Sequence, residues 1–534
     1  MRRIKLPCSI VNRLLAYPYL LAFIAGAIAV LGFAPHGLFP LPPLALAMLF
    51  WLWSRAERPR RAAALGFSFG MGLFTFGVGW IYIALHEYGY MHPVLAGVAT
   101  LLFAALISLF AALAGYLQAR YRAACRSGFN PTAPSLAEAR PVPGSVLLLL
   151  IMPAFWVLVE WLRGLMFTGF PWLVFGYAQV PYSPLAGYAP LLGVYGVSLS
   201  VAASAGLLLF GLQACRRAAG KMALGGLCVL WLIGGALQQV EWTQPQGESF
   251  KVSLLQGNIA QDLKFEEHAL VETLETYRRL AESSAARLIV LPETAVPLLR
   301  DNVPQNYQIM LGEHARRNGG DILVGSFERE AGRYYNSVYS LGSAGSQHYR
   351  KNHLVPFGEF IPLRGWLGWL INELLQIPMG DLASGGAGQP PLAVAGQEIA
   401  VNICYEDAFG EEIIRALPAA TLLINVTNDA WYGDSNAAIQ HNQLSQMRAL
   451  ESGRMMLRAT NTGVTSVIGV NGRIHAMLPQ HAEGVLTAEV QGYSGSTPYV
   501  RWGNGVVLVL LGLLLGMAWR LQCKKSSRPL AGKG

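Results

Sequence analysis

Long apolar runs dominate the first 240 residues of the chain and return near its end, with a more polar segment between them. A helix of about 20 apolar residues crosses roughly 30 Å of hydrocarbon. The pattern predicts about eight spans, of which the second is short, at residues 12–32, 40–54, 63–85, 93–117, 144–163, 185–213, 220–238 and 503–521. The stretch 165–184 is apolar but interrupted by Pro and Gly, which predicts an interfacial or re-entrant connection.

The polar segment alternates short apolar runs with stretches of helical periodicity, which is typical of an α/β domain. The predicted strands are 251–256, 287–291, 321–325, 337–341, 399–403 and 421–425, and the predicted helices are 268–286, 307–318, 411–416 and 438–454. We therefore divide the chain into a transmembrane bundle of seven helices at 1–240, an extramembrane domain at 241–495, and a last helix with a basic tail at 496–534.

Composition agrees with a membrane protein, since 53% of the residues are hydrophobic, 13% are charged and the mean hydropathy is +0.37. Basic clusters precede the first span and follow the second, fourth, sixth and eighth, as expected for cytoplasmic connections. They are Arg2, Arg3 and Lys5; Arg55, Arg58, Arg60 and Arg61; Arg120, Arg122 and Arg126; Arg216, Arg217 and Lys221; and Arg520, Lys524, Lys525 and Arg528. Both termini are thus predicted to be cytoplasmic and the α/β domain to lie on the opposite side. These loops also explain much of the net charge of +9, so no nucleic-acid partner is needed.

Cys404 is the only cysteine between residues 240 and 495. In an oxidising compartment a thiol without a disulfide partner is either buried and inert or chemically required. Cys404 follows the predicted strand 399–403, just as Glu293 and Lys351 follow strand-like runs. Strand ends are where α/β sheets place their chemistry. A thiol, a carboxylate and an ammonium group there form a candidate nucleophile, base and electrostatic stabiliser, although each alone is more often a buried apolar residue or a solvated charge.

The motifs around these residues are more specific than the residues themselves. Leu291-Pro-Glu-Thr294, the stretch 349–360 and Ile403-Cys-Tyr-Glu406 occur in this order in one domain. Together they resemble the nitrilase superfamily, whose Glu-Lys-Cys triad lies on an α-β-β-α sandwich. With the flanking spans, the chain resembles the apolipoprotein N-acyltransferase family. The resemblance extends to segments 160–163, 169–172, 256–259, 428–433, 440–441 and 458–463.

The resemblance implies a reaction and its partners. A Cys404 thiolate would attack an ester of a glycerophospholipid, Glu293 would act as general base and Lys351, with a backbone N–H, would stabilise the oxyanion. The resulting thioester would acylate the N-terminal α-amine of a diacylglyceryl-cysteine on an apolipoprotein, in a ping-pong cycle. No metal or other cofactor is implied, and the enzyme is expected to be a monomer in the bacterial inner membrane with its catalytic domain in the periplasm.

Further site residues follow from the same resemblance. Glu359 would orient Lys351, unless it is a plain turn carboxylate. Tyr405 and Glu406 would fix the turn of the nucleophile, unless Glu406 merely caps the following helix. Candidates for lipid contact are Phe265, Phe357, Trp431 and Tyr432, for which simple packing is the alternative, and Glu160 with Arg163, for which an interfacial salt bridge is the alternative. Phe265 and Tyr432 stand where the family leads us to expect Trp and Phe.

Two other functions compete with acyl transfer. A membrane-anchored nitrilase-type amidohydrolase would use the triad but leave most spans without a role. A transporter with a periplasmic regulatory domain would use the spans but leave the triad idle. The only acidic residues before residue 241 are Glu57, Glu87, Glu138 and Glu160, which are too few for a proton-coupled pathway. The sequence therefore favours an acyltransferase that takes both substrates from the lipid bilayer.

Overall fold

The computed structural model describes residues 16–127, 142–264, 266–361 and 381–526. Its apolar helices begin and end close to the predicted runs. They are α1 (Pro18–Ala29), α2 (Leu41–Ser54), α3 (Pro59–Gly77), α4 (Ile81–Ile83), α5 (Pro93–Ser127), α6 (Gly144–Arg163), α7 (Ala189–Gln213) and α8 (Ala218–Leu237), with α14 (Gly505–Ser526) at the other end. Four of the described helices are long and apolar enough to cross a membrane: α5, α6, α8, and α7 taken together with the turn that precedes it. A fifth span results if α3 and the bent segment Ile81–Tyr88 count as one, whereas α1, α2 and α14 are apolar but shorter.

Small residues allow the membrane helices to approach closely. A Cβ atom on Gly26 of α1 would lie 1.9 Å from the carbonyl oxygen of Phe69 in α3. A Cβ atom on Gly66 of α3 would lie 2.2 Å from the carbonyl oxygen of Ala111 in α5. Because lipid gives little hydrophobic drive for helix association, close backbone packing at such glycines is a principal source of attraction. The three helices therefore form one tightly packed group.

The polar segment folds into two six-stranded sheets. Their strands are β1 (Thr243–Gln256), β2 (Leu288–Val290), β3 (Asp321–Glu330), β4 (Arg333–Gly342), β5 (His348–Arg350), β6 (Leu392–Val394), β7 (Gln397–Ile403), β8 (Leu422–Thr427), β9 (Met456–Thr460), β10 (Ser466–Ile468), β11 (Ile474–Met477) and β12 (Gly484–Gly495). The strand orders are β12-β1-β2-β3-β4-β5 and β11-β10-β9-β8-β7-β6. In the first sheet β1, β2 and β3 are parallel, and in the second β7, β8 and β9 are parallel. The helices of this domain are α9 (Glu267–Glu282), α10 (Gln305–Arg317), α11 (Gly410–Ile413), α12 (Ala437–Ser452) and α13 (Pro498–Trp502).

Alternate residues of the central strands face different cores. Leu254 and Val290 share a buried cluster with Val401 and Ile424 of the other sheet. The intervening Ile289 packs with residues of α9 and α10 in a second cluster. A third cluster joins the outer face of the second sheet to α11 and α12. The period of two along each strand thus places one face of each sheet against the other sheet and the opposite face against helices.

The strands at the end of the domain are where prediction and structure differ most. β6 and β9 to β12 were not predicted; of these, β6, β10 and β11 are very short, and β12 alternates exposed and buried residues irregularly. β1 also begins earlier than predicted, at Thr243, because its first half pairs with β12. α12 ends at Ser452 instead of residue 454, since Gly453 adopts a left-handed conformation that terminates the helix.

The connection between α6 and α7 joins the two parts of the chain. Its tip is exposed at Leu165, Met166 and Phe167, whereas its body from 171 to 181 is buried. Tyr177 Oη donates a hydrogen bond to the carbonyl oxygen of Ala408 at 3.1 Å. This connection therefore supports the turn that follows β7.

Candidate active site

Three side chains at strand ends meet between the two sheets. Glu293 follows β2, Lys351 follows β5 and Cys404 follows β7. Their exposed fractions are 7%, 1% and 7%. Lys351 Nζ lies 3.4 Å from Glu293 Oε1, and both charges are close enough to Cys404 to act on the pKa of its thiol. The structure thus brings together the three residues that the sequence predicted as a triad.

Glu293 is held by donors on both carboxylate oxygens. Asn336 Nδ2 donates to Oε1 at 2.7 Å, and the backbone N–H of Asn428 donates to Oε2 at 2.8 Å. The main-chain carbonyl of Glu293 accepts a hydrogen bond from Lys264 Nζ at 3.1 Å. Donors on both oxygens match an ionised carboxylate, which can only accept. Both carboxylate oxygens of Glu293 are thus acceptors in this site.

Lys351 is paired with two carboxylates. Its Nζ donates to Glu359 Oε1 at 2.9 Å, while Asn336 Nδ2 approaches the same oxygen at 3.2 Å. Burial opposes a charge on the lysine, but Glu359 and Glu293 outweigh it and raise the pKa of Lys351 well above its ordinary value. Lys351 is therefore a fixed cation held between Glu359 and Glu293.

Cys404 is a thiol in the resting site. Burial raises the pKa of Cys404 above its ordinary value, the charge of Glu293 raises it further, and Lys351 only partly offsets them. A thiolate is the nucleophilic form, so attack requires that a neighbouring base remove the proton. The backbone of Cys404 has a φ of +54°, a left-handed conformation that is uncommon outside glycine. The surrounding contacts must hold the nucleophile in this strained turn.

Glu406 connects the nucleophile turn to the lysine loop. Its carboxylate accepts hydrogen bonds from the N–H groups of Ile403 and Asn352, both at 2.6 Å, and of His353 at 3.0 Å. Tyr349 Oη donates to it at 3.0 Å. Burial raises the pKa of Glu406 to about 7, while the N–H donors lower it. Glu406 thus caps the turn that begins at Cys404, through the N–H of Ile403, and its other bonds join this turn to segments of the first sheet.

Beneath the nucleophile, a buried charge cluster consists of His441, Arg458, Asp407 and Asp429. His441 Nδ1 lies 2.9 Å from Asp429 Oδ1, and Nε2 lies 2.8 Å from Asp407 Oδ1 and 3.2 Å from the carbonyl oxygen of Cys404. Arg458 bonds both carboxylates, at 3.1 and 2.9 Å. Burial and Arg458 oppose a charge on His441, but Asp407 and Asp429 outweigh them and raise the pKa of the imidazole to about 9. Within this cluster His441 contacts the carbonyl oxygen of Cys404, and Asp407 and Asp429 hold the imidazole in place.

Comparison with known proteins identifies the family. Residues 25–207 match the apolipoprotein N-acyltransferase N-terminal domain, and residues 251–499 match the carbon-nitrogen hydrolase domain. The apolipoprotein N-acyltransferase of Nitrosomonas europaea is 50% identical, covering 92% of this chain and 95% of the relative. The chain belongs to the apolipoprotein N-acyltransferase family. The family enzyme of Chromobacterium violaceum is 44% identical over 94% of both chains, and that of Methylococcus capsulatus is 40% identical over 95% and 97%.

A solved structure gives a weaker comparison. A carbon-nitrogen hydrolase superfamily protein from Xanthomonas campestris covers 50% of this chain, with 18% sequence identity and a TM-score of 0.36. The family assignment makes the chain an acyltransferase with a carbon-nitrogen hydrolase catalytic domain, and several of its helices are long and apolar enough to cross a membrane. Among the residues that the structure describes, no group of three or more His, Cys, Asp or Glu side chains could hold a metal ion.

The aromatic residues predicted to contact lipid lie in different environments from one another. Tyr432 packs on Trp80, with ring centroids 4.6 Å apart, and Trp431 lies near Tyr88 at 6.2 Å. Both aromatic side chains therefore touch the bent end of the span that begins with α3. Phe357 is 47% exposed. Phe265 lies outside the described residues.

The described hydrogen bonds of Glu160 and Arg163 go to other groups of the protein and not to each other. Arg163 Nη1 donates to the carbonyl oxygens of Phe170 at 2.5 Å and Trp172 at 2.6 Å. Glu160 accepts from the N–H of Phe175 at 3.1 Å and from the hydroxyl of Ser198. Both side chains are buried. These bonds favour a role in holding the connection between α6 and α7 in its conformation, and not a role in lipid contact.

Other site residues of the acyltransferase were not assigned from the sequence. Lys264 and Asn336 resemble an ordinary loop lysine and strand asparagine, and neither has a distinctive spacing from the triad. Arg458 offered a signal, because it is a charged residue that directly follows the apolar Met455-Met-Leu457. His441 and Arg458 belong to segments that carried the family resemblance, but only the fold shows that they meet under Cys404.

Proposed function

We propose that the chain transfers an acyl group from a glycerophospholipid to the α-amine of a diacylglyceryl-cysteine, through a thioester on Cys404. The observation that carries this proposal is the buried arrangement of a protonated thiol, an ionised carboxylate and a fixed lysine cation. A thiol whose pKa is raised needs a base, and Glu293 is the carboxylate whose charge acts on it most strongly. The relatives' name supplies the acceptor class.

In the first half-reaction Glu293 accepts the thiol proton as the sulfur attacks the ester carbonyl. Lys351 faces the negative charge that develops on the carbonyl oxygen, and a fixed cation in a site shielded from water stabilises such a charge strongly. The tetrahedral intermediate breaks its bond to the glycerol oxygen, and Glu293 returns the proton to that leaving group. A thioester and a lysophospholipid result.

In the second half-reaction the uncharged amine of the acceptor attacks the thioester. Glu293 takes a proton from the attacking nitrogen and delivers it to the sulfur as the carbon–sulfur bond breaks. The amide product leaves, and the thiol and carboxylate are restored. A sulfur held in a disulfide could not form the thioester, so a free cysteine suits the reaction.

The membrane arrangement that we propose has eight crossings, with the bent α3 segment, α1, α2 and α14 added to the four longer helices. Domains at 1–240, 241–495 and 496–534 then place both termini in the cytoplasm and an α-β-β-α catalytic sandwich in the periplasm of the inner membrane. The alternation of basic connections supports this orientation. A monomer suffices, because Glu293, Lys351 and Cys404 all come from one chain.

The test is to incubate the purified enzyme with phospholipid that carries a labelled acyl chain, without an acceptor. We expect label on the wild-type protein that neutral hydroxylamine removes, and no label on Cys404→Ala. Cys215→Ala is the matched control, since Cys215 is an exposed free cysteine between α7 and α8, and it should be labelled like the wild type. Unlabelled wild-type protein or labelled Cys404→Ala would refute the thioester. Ammonia release from small amides would favour an amidohydrolase.

A further inference from the structure

Lys264 is a second lysine at the site, and the catalytic steps above do not use it. Its side chain is 2% exposed, although Leu263 and Glu266 on either side reach solvent. Its Nζ donates to the carbonyl oxygen of Glu293 at 3.1 Å. Among the described residues this is its only hydrogen bond to protein, and it forms no described ion pair. A buried lysine next to the base is therefore held by one neutral partner, unlike Lys351.

The proposed reaction leaves one proton without an acceptor. A free α-amino group has a pKa of about 7.7–8.0, so at pH 7 it is mostly an ammonium ion. It must lose one proton before it attacks and a second after it has attacked. Glu293 transfers the second proton to the sulfur and cannot also keep the first, and Lys351 is already a cation. Each turnover thus produces one proton that another group must accept.

We infer that Lys264, in its uncharged form, accepts the proton that the acceptor's ammonium group loses before attack on the thioester. The nitrogen–hydrogen bond of the ammonium breaks, its electron pair stays on the attacking nitrogen, and the proton becomes part of the Lys264 ammonium. That proton then leaves to water past the exposed residues on either side. This inference rests on the proposed function, because it requires the acyl-enzyme.

The electrostatics of the site agree with this role. Burial lowers the pKa of Lys264 to about 8, and the charge of Glu293 acts against this decrease. A lysine with a pKa near 8 can gain and lose a proton near neutral pH, whereas Lys351, whose pKa is raised, stays a cation. Lys264 can therefore accept a proton where Lys351 cannot.

Lys264→Arg separates this role from simple positioning. Arginine keeps a cation that can donate to the carbonyl of Glu293, but it cannot accept a proton near neutral pH. The experiment measures acyl-enzyme formation from labelled phospholipid and then transfer to a diacylglyceryl-cysteine peptide. We expect the ratio of transfer rate to acylation rate to fall about tenfold at pH 7, where only about a tenth of the amine is free, and to recover by pH 9.

Two controls sharpen the result. Hydroxylamine is uncharged at neutral pH, so it should deacylate the wild-type and Lys264→Arg thioesters at equal rates relative to acylation. Lys251→Arg alters an exposed lysine on β1 and should leave the ratio of transfer rate to acylation rate unchanged.

An unchanged ratio in Lys264→Arg would overturn the inference, and so would a loss that also affects hydroxylamine and persists at pH 9. Neither result would contradict the acyl-enzyme of the proposed function. A wild type without acyl-enzyme would overturn the proposed function and this inference with it. Lys264→Gln, measured in the same way, shows whether any loss comes from the size of arginine.

Discussion

The buried charge cluster beneath Cys404 predicts a stability that depends on pH in a particular direction. His441→Gln replaces a cation that touches Asp407, Asp429 and the carbonyl oxygen of Cys404. Glutamine carries no charge and cannot bridge both carboxylates. The variant therefore leaves two buried carboxylates with Arg458 as the one remaining cation in the cluster.

The loss of stability expected for His441→Gln is a few kcal/mol. Removal of one partner from a buried ion pair costs about 3–5 kcal/mol. The pKa of His441 rises from 6.5 to about 9 on folding, which corresponds to about 3 kcal/mol. Because the folded pKa is the higher one, this contribution is complete below pH 6.5 and is lost as the pH rises through 9. For a domain of this size, about 3–5 kcal/mol lowers Tm by about 6–20 °C.

The assay is thermal unfolding of the purified variants in detergent at pH 6 and at pH 9.5, together with acyl-enzyme formation at pH 7. We expect His441→Gln to unfold well below the wild type at pH 6, with a smaller difference at pH 9.5. His475→Gln, an exposed histidine in β11, is the matched control and should match the wild type at both values. An equal Tm difference at both pH values would refute the charged imidazole, and no difference would refute the cluster's role in stability.

Two further variants test the geometry around the base. Asn336→Leu removes the amide that donates to Glu293 and Glu359. A hydrogen bond to a charge is worth about 1.5–3 kcal/mol, so its loss should slow acyl-enzyme formation about 10- to 100-fold. A rate within twofold of wild type would contradict the role of Asn336. Gly325→Ala would place a Cβ 2.2 Å from the carbonyl oxygen of Pro292, so we expect slower acylation and a stability loss of about 1–3 kcal/mol by thermal unfolding. Gly97→Ala in α5, with no atom within 4 Å of the new Cβ, is its control, and equal behaviour of the two variants would refute this account.

The part of the site that could be predicted from the sequence is the part at strand ends. Glu293 and Cys404 each follow a short apolar run whose length and composition indicate a strand, so their meeting at one edge could be expected before the fold was known. Asn336 lies inside β4 and acts through residues distant in sequence. Nothing local distinguishes it from a structural asparagine.

The apolar spans and the helix α12 were also predictable, because hydrophobic runs and helical periodicity are local properties. The residues under the nucleophile were not, since Asp407, Asp429, His441 and Arg458 come from four separate segments. Their mutual neutralisation depends on distances of about 3 Å that only the assembled sheets create. Lys264 shows the same limit, because its burial and its one partner follow from tertiary packing.

Contacts between the turn at Cys404 and the connection from α6 to α7 fix the position of the thiol relative to the apolar helices. Tyr405 Oη donates to the carbonyl oxygen of Gly169, Tyr177 Oη donates to that of Ala408, and Trp172 Nε1 donates to Gln440 Oε1 at 2.7 Å. The thiol is therefore held at one distance from those helices. If both substrates are lipids, as we propose, each must bring its own carbonyl or amine to that level. Reach along the bilayer normal would then be a selection criterion for both substrates, separate from the shape of either headgroup.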